Sequence, residues 1–534
     1  MKTKFTSRLS AMSILICLLL LVGCDSQVET TKQPHNVLFI SIDDLRPTLG
    51  VYDDPIAISP NIDQLAAEGI TFREAFCQSA VCAPSRASVM SGVRPDSTRV
   101  WHLGDKFREI NPDAVTMPQH FSKHGYHTVN LGKIFHNYMP DSISWDEPDL
   151  RPARFLKKDW LKRDGETFYI SPEVNASQKI KRDSLLKLRP VRYADGWNTG
   201  PAWEAADVHD TMYYDGAQNK LVIKTLTRLA KSDKPFFMGL GYFRPHLPFT
   251  VPKKYWDMYD PNKMPLANNP NIPKDVPIHT MNSMYELRHY DGFGHIPHPT
   301  DLNYQMGEDT VRTLRQGYYA SVSYVDALIG DIVAHLKQLD IYENTIIVVW
   351  GDHGYKLGDH NSWGKMTSYN IDLKVPVIIR YPNQPNKGTQ TRGITELVDL
   401  FPTLCDIAGI DIPDYMHGTS LVPLIENPKQ KWKTAAFSQF HRRPKVSADG
   451  QRNMGYSINT DQHHYIEWYA WDNITGTKGD LKAIELYDRI NDPYETVNIA
   501  NQDIQINVQK ELADLLAAGW QASLNPLISS VNIK

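Results

Sequence analysis

The sequence is poor in cysteine and has no excess of basic charge. Its 534 residues include five cysteines, too few for a disulfide framework. The formal net charge is −4 at pH 7, which gives no electrostatic reason to expect a nucleic-acid ligand. No internal repeat and no low-complexity tract is present. These absences argue against a disulfide-stapled scaffold, a repeat array and a nucleic-acid-binding protein.

The apolar content of the chain is sufficient for a large buried core. Hydrophobic residues make up 41% of the chain and aromatic residues 10%. A sequence of this length and composition predicts one large α/β domain with a smaller companion. The 35 prolines and 12 tryptophans indicate long, ordered surface loops rather than disorder.

The amino terminus has the pattern of a bacterial export signal. Basic residues precede an apolar run at residues 11–22, which is too short to span a bilayer comfortably. The run ends in Leu-Val-Gly-Cys24, which resembles a lipoprotein box with Cys24 as the lipidated residue. We therefore predict a signal peptide at 1–24, a polar tether at 25–34 and a lipid anchor in the bacterial cell envelope, at the outer-membrane surface or the periplasmic face. An ordinary secretory signal or a short anchor is the alternative.

A cysteine lies at a predicted helix start in Cys77-Gln-Ser-Ala-Val-Cys82-Ala-Pro-Ser-Arg86. Pro84 suits a first helical turn, so we expect a helix to begin just past Cys82. Unpaired N–H groups and the helix dipole favour an anion at such a position, and Arg86 adds a positive charge. The residues alone leave two interpretations, an anion-binding reactive site and a buried structural thiol. A disulfide between Cys77 and Cys82 would compete with the first.

Four apolar runs of strand length deliver ionisable side chains at their carboxyl ends. The runs are residues 36–42, 127–131, 235–241 and 345–350. The ionisable residues that follow them are, in order, Asp43 and Asp44, Lys133 and His136, Arg244 and His246, and Asp352 and His353. Helical patterns such as 318–339 lie between the runs. This alternation predicts a mostly parallel, doubly wound sheet whose strand ends share one cleft.

The pair Asp43-Asp44 is a candidate cation site. Adjacent carboxylates at a strand end repel each other unless a cation lies between them, and hard oxygen ligands favour Ca²⁺ or Mg²⁺. Taken by itself, an Asp-Asp pair is more often a solvated turn.

Two long segments break the alternation, residues 139–210 and 262–310, and loops of this length usually shape function. The first holds basic residues that either help to bind a polyanionic glycan or form a solvated face: Arg154, Lys157, Lys158, Lys162 and Arg163. The second holds His289, His295 and His298, whose spacing matches no metal motif.

Residues 430–534 show short alternating runs and a final helix from about residue 507, which predict a small antiparallel sheet with a terminal helix. We place the boundary between a domain at 35–428 and a subdomain at 429–534.

The motifs taken together resemble the type I sulfatases. Residues 82–86 match the signature in which the cysteine is oxidised to formylglycine, and residues 92–99 continue it. Gly132-Lys133 matches the second motif of the family, and Asp352-His353-Gly354 matches its late metal-binding motif. Within the family, the stretches at 132–136, 241–249 and 318–326 resemble the iduronate-2-sulfatases. The resemblance implies an alkaline-phosphatase-like α/β fold with a smaller C-terminal α+β subdomain.

The resemblance also implies a metal centre. Asp43, Asp44 and Asp352 would bind one Ca²⁺, with His353 near or on the ion. Formylglycine at position 82 would complete the shell, and the metal would lower the pKa of one hydroxyl of its hydrate.

Further roles follow from the same resemblance. Arg86, Lys133 and Lys365 would offset charge on the sulfate oxygens in the transition state. His246 would protonate the leaving sugar oxygen. His136 would take a proton from the second hydroxyl of the hydrate, which expels sulfate and restores the aldehyde. A serine could not complete that second step, so a formylglycine-generating or anaerobic sulfatase-maturating enzyme would be a required partner.

The predicted substrate is a sulfated polysaccharide or its oligosaccharides, of the ulvan or glycosaminoglycan type and containing a uronate. One departure from the iduronate-2-sulfatase pattern is Arg244, which replaces a lysine; the charge is kept while the geometry differs. The alternatives are a phosphodiesterase or phosphonate hydrolase, which would need a similar charge clamp, and a non-catalytic glycan-binding lipoprotein.

Overall fold

The computed structural model describes residues 34–136, 139–152, 168–188, 200–281, 284–297, 304–443 and 450–525. The predicted signal peptide with Cys24, and the predicted tether except Pro34, lie outside the described residues. So do His298 and the basic residues between 154 and 163.

The described strands form one large sheet, one smaller sheet and two short pairs. The strands are β1 (Asn36–Ile42), β2 (Ile70–Phe76), β3 (His127–Gly132), β4 (Trp203–Ala206), β5 (Phe236–Tyr242), β6 (Phe249–Pro252), β7 (Thr345–Gly351), β8 (Lys356–Leu357), β9 (Trp363–Gly364), β10 (Lys374–Arg380), β11 (Thr389–Thr391), β12 (Thr395–Glu396), β13 (Ala436–Arg442), β14 (Asn453–Asn459), β15 (His463–Asp472) and β16 (Thr477–Asp488).

The large sheet has the order β11-β2-β10-β7-β1-β5-β3, with β12 also paired to β2. The four predicted strands are its adjacent members β7, β1, β5 and β3, and all are parallel. In their register, Ile42 lies opposite both Gly351 and Tyr242. Their carboxyl ends therefore meet at one edge, as predicted. The sheet is mixed because β10 runs antiparallel to both β7 and β2.

The α-helices are α1 (Pro60–Ala67), α2 (Cys82–Ser91), α3 (Pro95–Thr98), α4 (Phe107–Ile110), α5 (Met117–Lys123), α6 (Pro172–Leu188), α7 (Tyr214–Leu229), α8 (Lys253–Trp256), α9 (Glu308–Gln338), α10 (Asn370–Leu373), α11 (Leu400–Ala408), α12 (Val422–Glu426) and α13 (Ile506–Ala518). The 3₁₀ helices cover Gly50–Tyr52, Ser142–Ser144, Asp210–Met212, Pro261–Lys263, Ile278–Thr280, Leu287–His289, Tyr342–Asn344, Asp359–Asn361, Leu397–Asp399, Asp503–Gln505 and Trp520–Ser523. Within the described ranges, no helix is both long enough and apolar enough to cross a bilayer.

Helix α9 begins ten residues before the predicted start at residue 318. Its first turn carries the acidic residues Glu308 and Asp309, which favour a helix N-terminus. Its first turns lie at least partly in solvent, so the apolar stripe used for the prediction begins only later.

Both faces of the large sheet are covered. Leu38 and Ile40 of β1 belong to a core cluster that includes Ile329 of α9. Phe39 points the other way, into a cluster that includes Phe401 of α11. Burial on both faces explains why β1 is a continuous apolar run without alternation. The predicted doubly wound architecture is confirmed.

The C-terminal strands form a four-stranded antiparallel sheet in the order β13-β14-β15-β16. Leu512 of α13 packs against Phe437 and Leu486 of this sheet. The predicted antiparallel sheet with a terminal helix is therefore confirmed. Residues 35–534 form one compact unit, and the boundary at residue 428 stays a prediction.

Candidate active site

The carboxyl end of β1 delivers two buried carboxylates. Asp43 and Asp44 are both fully buried. The backbone N–H of Asp43 donates to the carbonyl oxygen of Tyr242 at 3.2 Å, and that of Asp44 donates to Asp352 Oδ1 at 3.0 Å. Asp44 has a left-handed backbone with φ of 64°. These contacts tie the ends of β1, β5 and β7 together around three carboxylates.

Cys82 is itself the first residue of α2, so the helix begins slightly earlier than the predicted start just past it. Its Sγ lies 3.2 Å from Nε2 of His353 and 3.7 Å from Nζ of Lys133. Ligand atoms of Cys82, Asp43, Asp352 and His353 all lie within 4.8 Å of one another. Cys77 is a free, buried thiol, so the alternative disulfide is not formed.

Burial raises the pKa of the Cys82 thiol well above its usual value, and the charge of Asp43 raises it further. An unmodified Cys82 is therefore held as a neutral thiol, which is a poor nucleophile.

Three cations face the three carboxylates. Arg86 donates from Nε to Asp352 Oδ2 at 2.8 Å and lies 3.3 Å from Asp43 Oδ1 through Nη2. Lys133 Nζ contacts Asp43 Oδ2. Lys365 Nζ donates to both carboxylate oxygens of Asp44 at 2.8 Å. All three cationic side chains are at most 2% exposed.

Gly132 explains how Lys133 reaches this pocket. Its φ of +80° lies in the left-handed region that favours glycine, and a Cβ there would clash with the carbonyl oxygen of Gly241. The chain can therefore turn sharply at the end of β3 and place Lys133 beside Asp43.

The pKa values of the neighbouring Asp43 and Asp44 are shifted in opposite directions. Burial raises the pKa of Asp43, but Lys133, His246 and Arg86 overcome this and hold it well below its usual value. Burial raises the pKa of Asp44 well above its usual value; Lys365 opposes this rise and the charge of Asp43 adds to it. One carboxylate of the pair is thus strongly disfavoured as an anion, a condition that a nearby divalent cation would relieve.

His246 follows β5 and faces the same carboxylates. Its Nε2 lies 4.0 Å from both Asp43 Oδ2 and Asp44 Oδ2, and its Nδ1 lies 2.6 Å from the carbonyl oxygen of Leu247. Burial lowers the pKa of His246 to about 3, against the opposing charge of Glu286. His136 is buried at the same sheet edge, four residues after the end of β3.

Glu286 is a site residue that the sequence did not reveal. Its Oε1 lies 3.0 Å from His246 Nε2, and its Oε2 lies 3.0 Å from Lys365 Nζ. It comes from the long segment 262–310, in which no motif marks it. The neighbouring His289 and His295 contact Tyr285 and Tyr304, and neither belongs to the candidate metal-binding groups of the described residues.

Arg244, the departure noted in the sequence, shapes the loop that carries His246. Its guanidinium donates to the carbonyl oxygens of His246 and Pro248. The backbone N–H groups of Phe243 and Arg244 donate to the two carboxylate oxygens of Asp215 at 2.9 and 3.0 Å.

The fold and this pocket define a hydrolase of charged esters, and comparison with known proteins identifies the family. A sulfatase family model matches residues 35–410, and a model of the C-terminal part of N-sulphoglucosamine sulphohydrolase matches residues 358–521. The chain belongs to the sulfatase family and is a sulfuric ester hydrolase.

The relatives agree with the predicted resemblance. Iduronate 2-sulfatase of Mus musculus is 30% identical over 89% of this chain and 92% of its own length. A sulfatase of Formosa agariphila is also 30% identical, over 93% of this chain and 90% of its own length. The solved structure of a phosphonate monoester hydrolase of Agrobacterium radiobacter has a TM-score of 0.68 at 23% identity, covering 91% of this chain and 95% of the other. At that identity the last likeness shows the fold alone.

Proposed function

We propose that this sulfatase removes sulfate from a sulfated, uronate-containing polysaccharide or its oligosaccharides, with formylglycine formed from Cys82 as the nucleophile. The observation that carries the proposal is the position of Cys82. It lies at a buried helix start, in the same pocket as three carboxylates, two lysines and His353. A thiol kept neutral by burial is of little use there, whereas a hydrated aldehyde would offer hydroxyl groups.

The pocket fits one divalent cation, which we propose is Ca²⁺. Asp43, Asp44, Asp352 and His353 would hold it together with residue 82. Carboxylate oxygens suit a hard cation, and the raised pKa of Asp44 marks an excess of buried negative charge at this point. When bound, the ion would polarise a sulfate oxygen and lower the pKa of the attacking hydroxyl.

The remaining site residues divide the other tasks. Arg86, Lys133 and Lys365 would stabilise negative charge on the sulfate oxygens. His246 would donate a proton to the leaving sugar oxygen from Nε2, which faces the carboxylates. This requires the protonated ring, because Nδ1 uses its hydrogen on the Leu247 carbonyl; the negative charge of the bound sulfate ester would add to that of Glu286 and raise the pKa of His246 from about 3. His136 would accept a proton from the second hydroxyl of residue 82, which releases sulfate. Conversion of Cys82 requires a maturation enzyme in the host.

The substrate class is supported by the curated relatives. The name of the mouse relative refers to iduronate, a uronate sugar, and 30% identity extends over most of both chains. We propose that the sulfated glycan is of the glycosaminoglycan or ulvan type.

The membrane is a further proposed partner, through a lipid on Cys24, with the protein in the bacterial cell envelope. Loss of membrane association in a Cys24→Ala variant, measured by fractionation, would test the anchor.

Desulfation of a panel of defined sulfated oligosaccharides tests the proposal. The enzyme should carry a residue 82 that has been verified as formylglycine by peptide mass. We expect sulfate release from uronate-containing members, and none from a Cys82→Ala variant. Undiminished turnover by that variant would exclude the proposed nucleophile.

The second candidate is a phosphonate or phosphate ester hydrolase, because the fold is shared with a phosphonate monoester hydrolase. Rates on matched aryl sulfate, phosphate and phosphonate esters separate the two. A preference for phosphate or phosphonate would favour the second candidate.

A further inference from the structure

A second cavity, of about 370 Å³, lies apart from the catalytic pocket. None of the three site aspartates, Cys82, His353 or the site lysines lines it. Its walls come from the chain after β1, from β2, from residues 265–269, from α9, from α10 with the start of β10, and from residues 493–495. Its charged lining residues are the cations Arg46, Arg73, Arg315 and Lys374 and the acids Asp54, Asp359 and Glu495, and Tyr319 adds an aromatic ring.

Three of the four cations in this wall have acidic partners. Arg46 Nη1 lies 2.8 Å from Asp359 Oδ2. Arg73 Nη2 lies 2.6 Å from Asp53 Oδ2. Lys374 Nζ lies 2.7 Å from Glu74 Oε1.

Arg315 is the exception. Its side chain comes from α9, and the residue is only 4% exposed. Nη1 donates to the carbonyl oxygen of Leu357 at 3.0 Å, whereas the buried Nε has no hydrogen-bond partner among the described residues. Within the described part of the chain, no carboxylate lies within ion-pair distance of its guanidinium.

The surroundings make this charge costly. Burial lowers the pKa of Arg315, and the positive charge of Arg46 lowers it further, while Tyr319 and the charges of Asp359 and Asp54 oppose the shift without cancelling it. Asp359 already accepts hydrogen bonds from Arg46 and from the backbone N–H of Leu357 at 2.8 Å, and Asp54 accepts one from the Tyr319 hydroxyl at 2.9 Å. A buried cation without a counter-charge is strongly unfavourable unless something else supplies one.

We propose that this cavity binds a small anion bearing a carboxylate or sulfate group, with the guanidinium of Arg315 as its main contact. The planar fork of an arginine matches the two oxygens of such a group. The Tyr319 ring lies 5.9 Å from the guanidinium carbon, and prolines and Leu266 add apolar wall. The volume suits a free sulfate ion or a single uronate, which are the two sources to be distinguished.

Crystals of the full chain soaked separately in selenate, a sulfate analogue, and in glucuronate would test the site. We expect an anomalous selenium peak or sugar density within hydrogen-bond distance of Arg315. The soak that gives density identifies the source. Only water in the cavity after both soaks would overturn the proposal.

Calorimetric titration with the same two anions gives an independent measurement. Arg315→Met should lose one binding event while keeping any event at the catalytic pocket. Arg315→Lys should weaken that event at least several-fold, because the fork is lost and the charge is kept. The matched control is Arg312→Met, one turn earlier on α9, whose Nη2 lies 3.3 Å from Glu308 Oε2; it should bind as the wild type. If Arg315→Met does not fold, as judged by circular dichroism, Arg315→Lys decides; unchanged binding in a folded variant contradicts the proposal.

Discussion

At the scale of single residues, buried acids and bases pair closely in the active site, and Glu286 is one of these acids. Glu286 contacts both His246, the proposed acid, and Lys365, a proposed sulfate ligand, at 3.0 Å. It therefore links two groups to which we assign roles on opposite sides of the scissile bond. We interpret Glu286 as a positioning residue.

Glu286→Gln should lower kcat/KM on an aryl sulfate by about tenfold or more. Hydrogen bonds to charged groups contribute about 1.5–3 kcal/mol, and each 1.4 kcal/mol corresponds to a factor of ten. Steady-state kinetics on formylglycine-verified protein measures this change. Glu308→Gln, an exposed glutamate at the start of α9, is the control and should keep wild-type kinetics. Equal kcat/KM values for the Glu286→Gln and Glu308→Gln variants would contradict the positioning role of Glu286.

The sequence predicted most of this pocket but not Glu286. Asp43, Lys133, His246 and Asp352 could be found because each follows a buried strand, and the edge of a parallel sheet brings such residues together. Glu286 lies in a long segment between strands, where neither periodicity nor spacing relates it to the sheet. Its place depends on the tertiary path of that loop, which the local sequence does not encode in a recognisable form.

At the scale of elements, a buried ionic network joins the segment after α2 to the C-terminal sheet. Glu396 of β12 accepts from both terminal nitrogens of Arg94 at 2.7 Å and from Lys433 at 2.9 Å. The backbone N–H of Phe437 in β13 donates to the same carboxylate at 2.8 Å. Burial would raise the pKa of Glu396, but Arg94 and Lys433 hold it at about 2.

Glu396→Gln should lower the free energy of unfolding by about 3–5 kcal/mol, because it leaves the buried Arg94 without a carboxylate partner, whereas Lys433 keeps Asp399 at 2.6 Å. Urea unfolding at pH 7 measures the change. A depressed carboxyl pKa stabilises the fold above its unfolded value near 4.5, and this contribution is lost as pH falls towards 2. The difference between variant and wild type should therefore shrink in acid. Glu109→Gln, at an exposed pair with Lys106, should cost at most about 1 kcal/mol.

A second element-scale contact predicts sensitivity to acid. The ring of His441 in β13 packs against that of His102, with ring centroids 4.2 Å apart and an angle of 47° between the ring planes. Burial lowers the pKa of His441 to about 2 and that of His102 to about 3, with nearby arginines adding to both shifts. The folded state thus binds fewer protons than the unfolded state below pH 6.5, and stability should fall as the pH is lowered from there.

Each of these two histidines should lower the free energy of unfolding by at most about 1.4 kcal/mol for each unit by which the pH falls below 6.5. Urea unfolding between pH 7 and pH 5 should show this slope, and His441→Phe should reduce it because one titrating ring is removed. His209→Phe, at an exposed position, is the control and should leave the slope unchanged. A slope in His441→Phe equal to that of the wild type would contradict the prediction.

The same scale shows what periodicity can and cannot predict. The strands β7, β1, β5 and β3 were predictable because each is a continuous apolar run. The sequence of β10 is similarly apolar, but nothing in it indicates that the strand runs antiparallel to β7 and β2. The start of α9 was missed because its exposed first turns carry no apolar stripe.

At the scale of the whole molecule, the catalytic pocket is also a junction of the fold. Asp43 and Asp44 directly follow β1, Asp352 directly follows β7, and Cys82 begins α2, so separate parts of the chain converge on one buried group of charges. Arg86, Lys133 and Lys365 pair with the carboxylates, but Asp44 keeps a raised pKa. The stability of the large sheet should therefore depend on a cation that adds positive charge there.

Adding Ca²⁺ to chelator-treated protein should raise the melting temperature by about 2–5 °C. A ligand that binds only the folded state at 100 times its dissociation constant contributes about 2.7 kcal/mol. Scanning calorimetry with and without Ca²⁺ measures the shift, and Mg²⁺ at the same concentration tests the choice of ion. Asp352→Asn should abolish the shift because a carboxylate shared by β1, β7 and α2 is lost, whereas Asp257→Asn, at an exposed pair with Lys253, should retain it. An equal Ca²⁺ shift in both variants would place the ion elsewhere, and no shift in the wild type would show that the three cationic side chains alone balance the pocket.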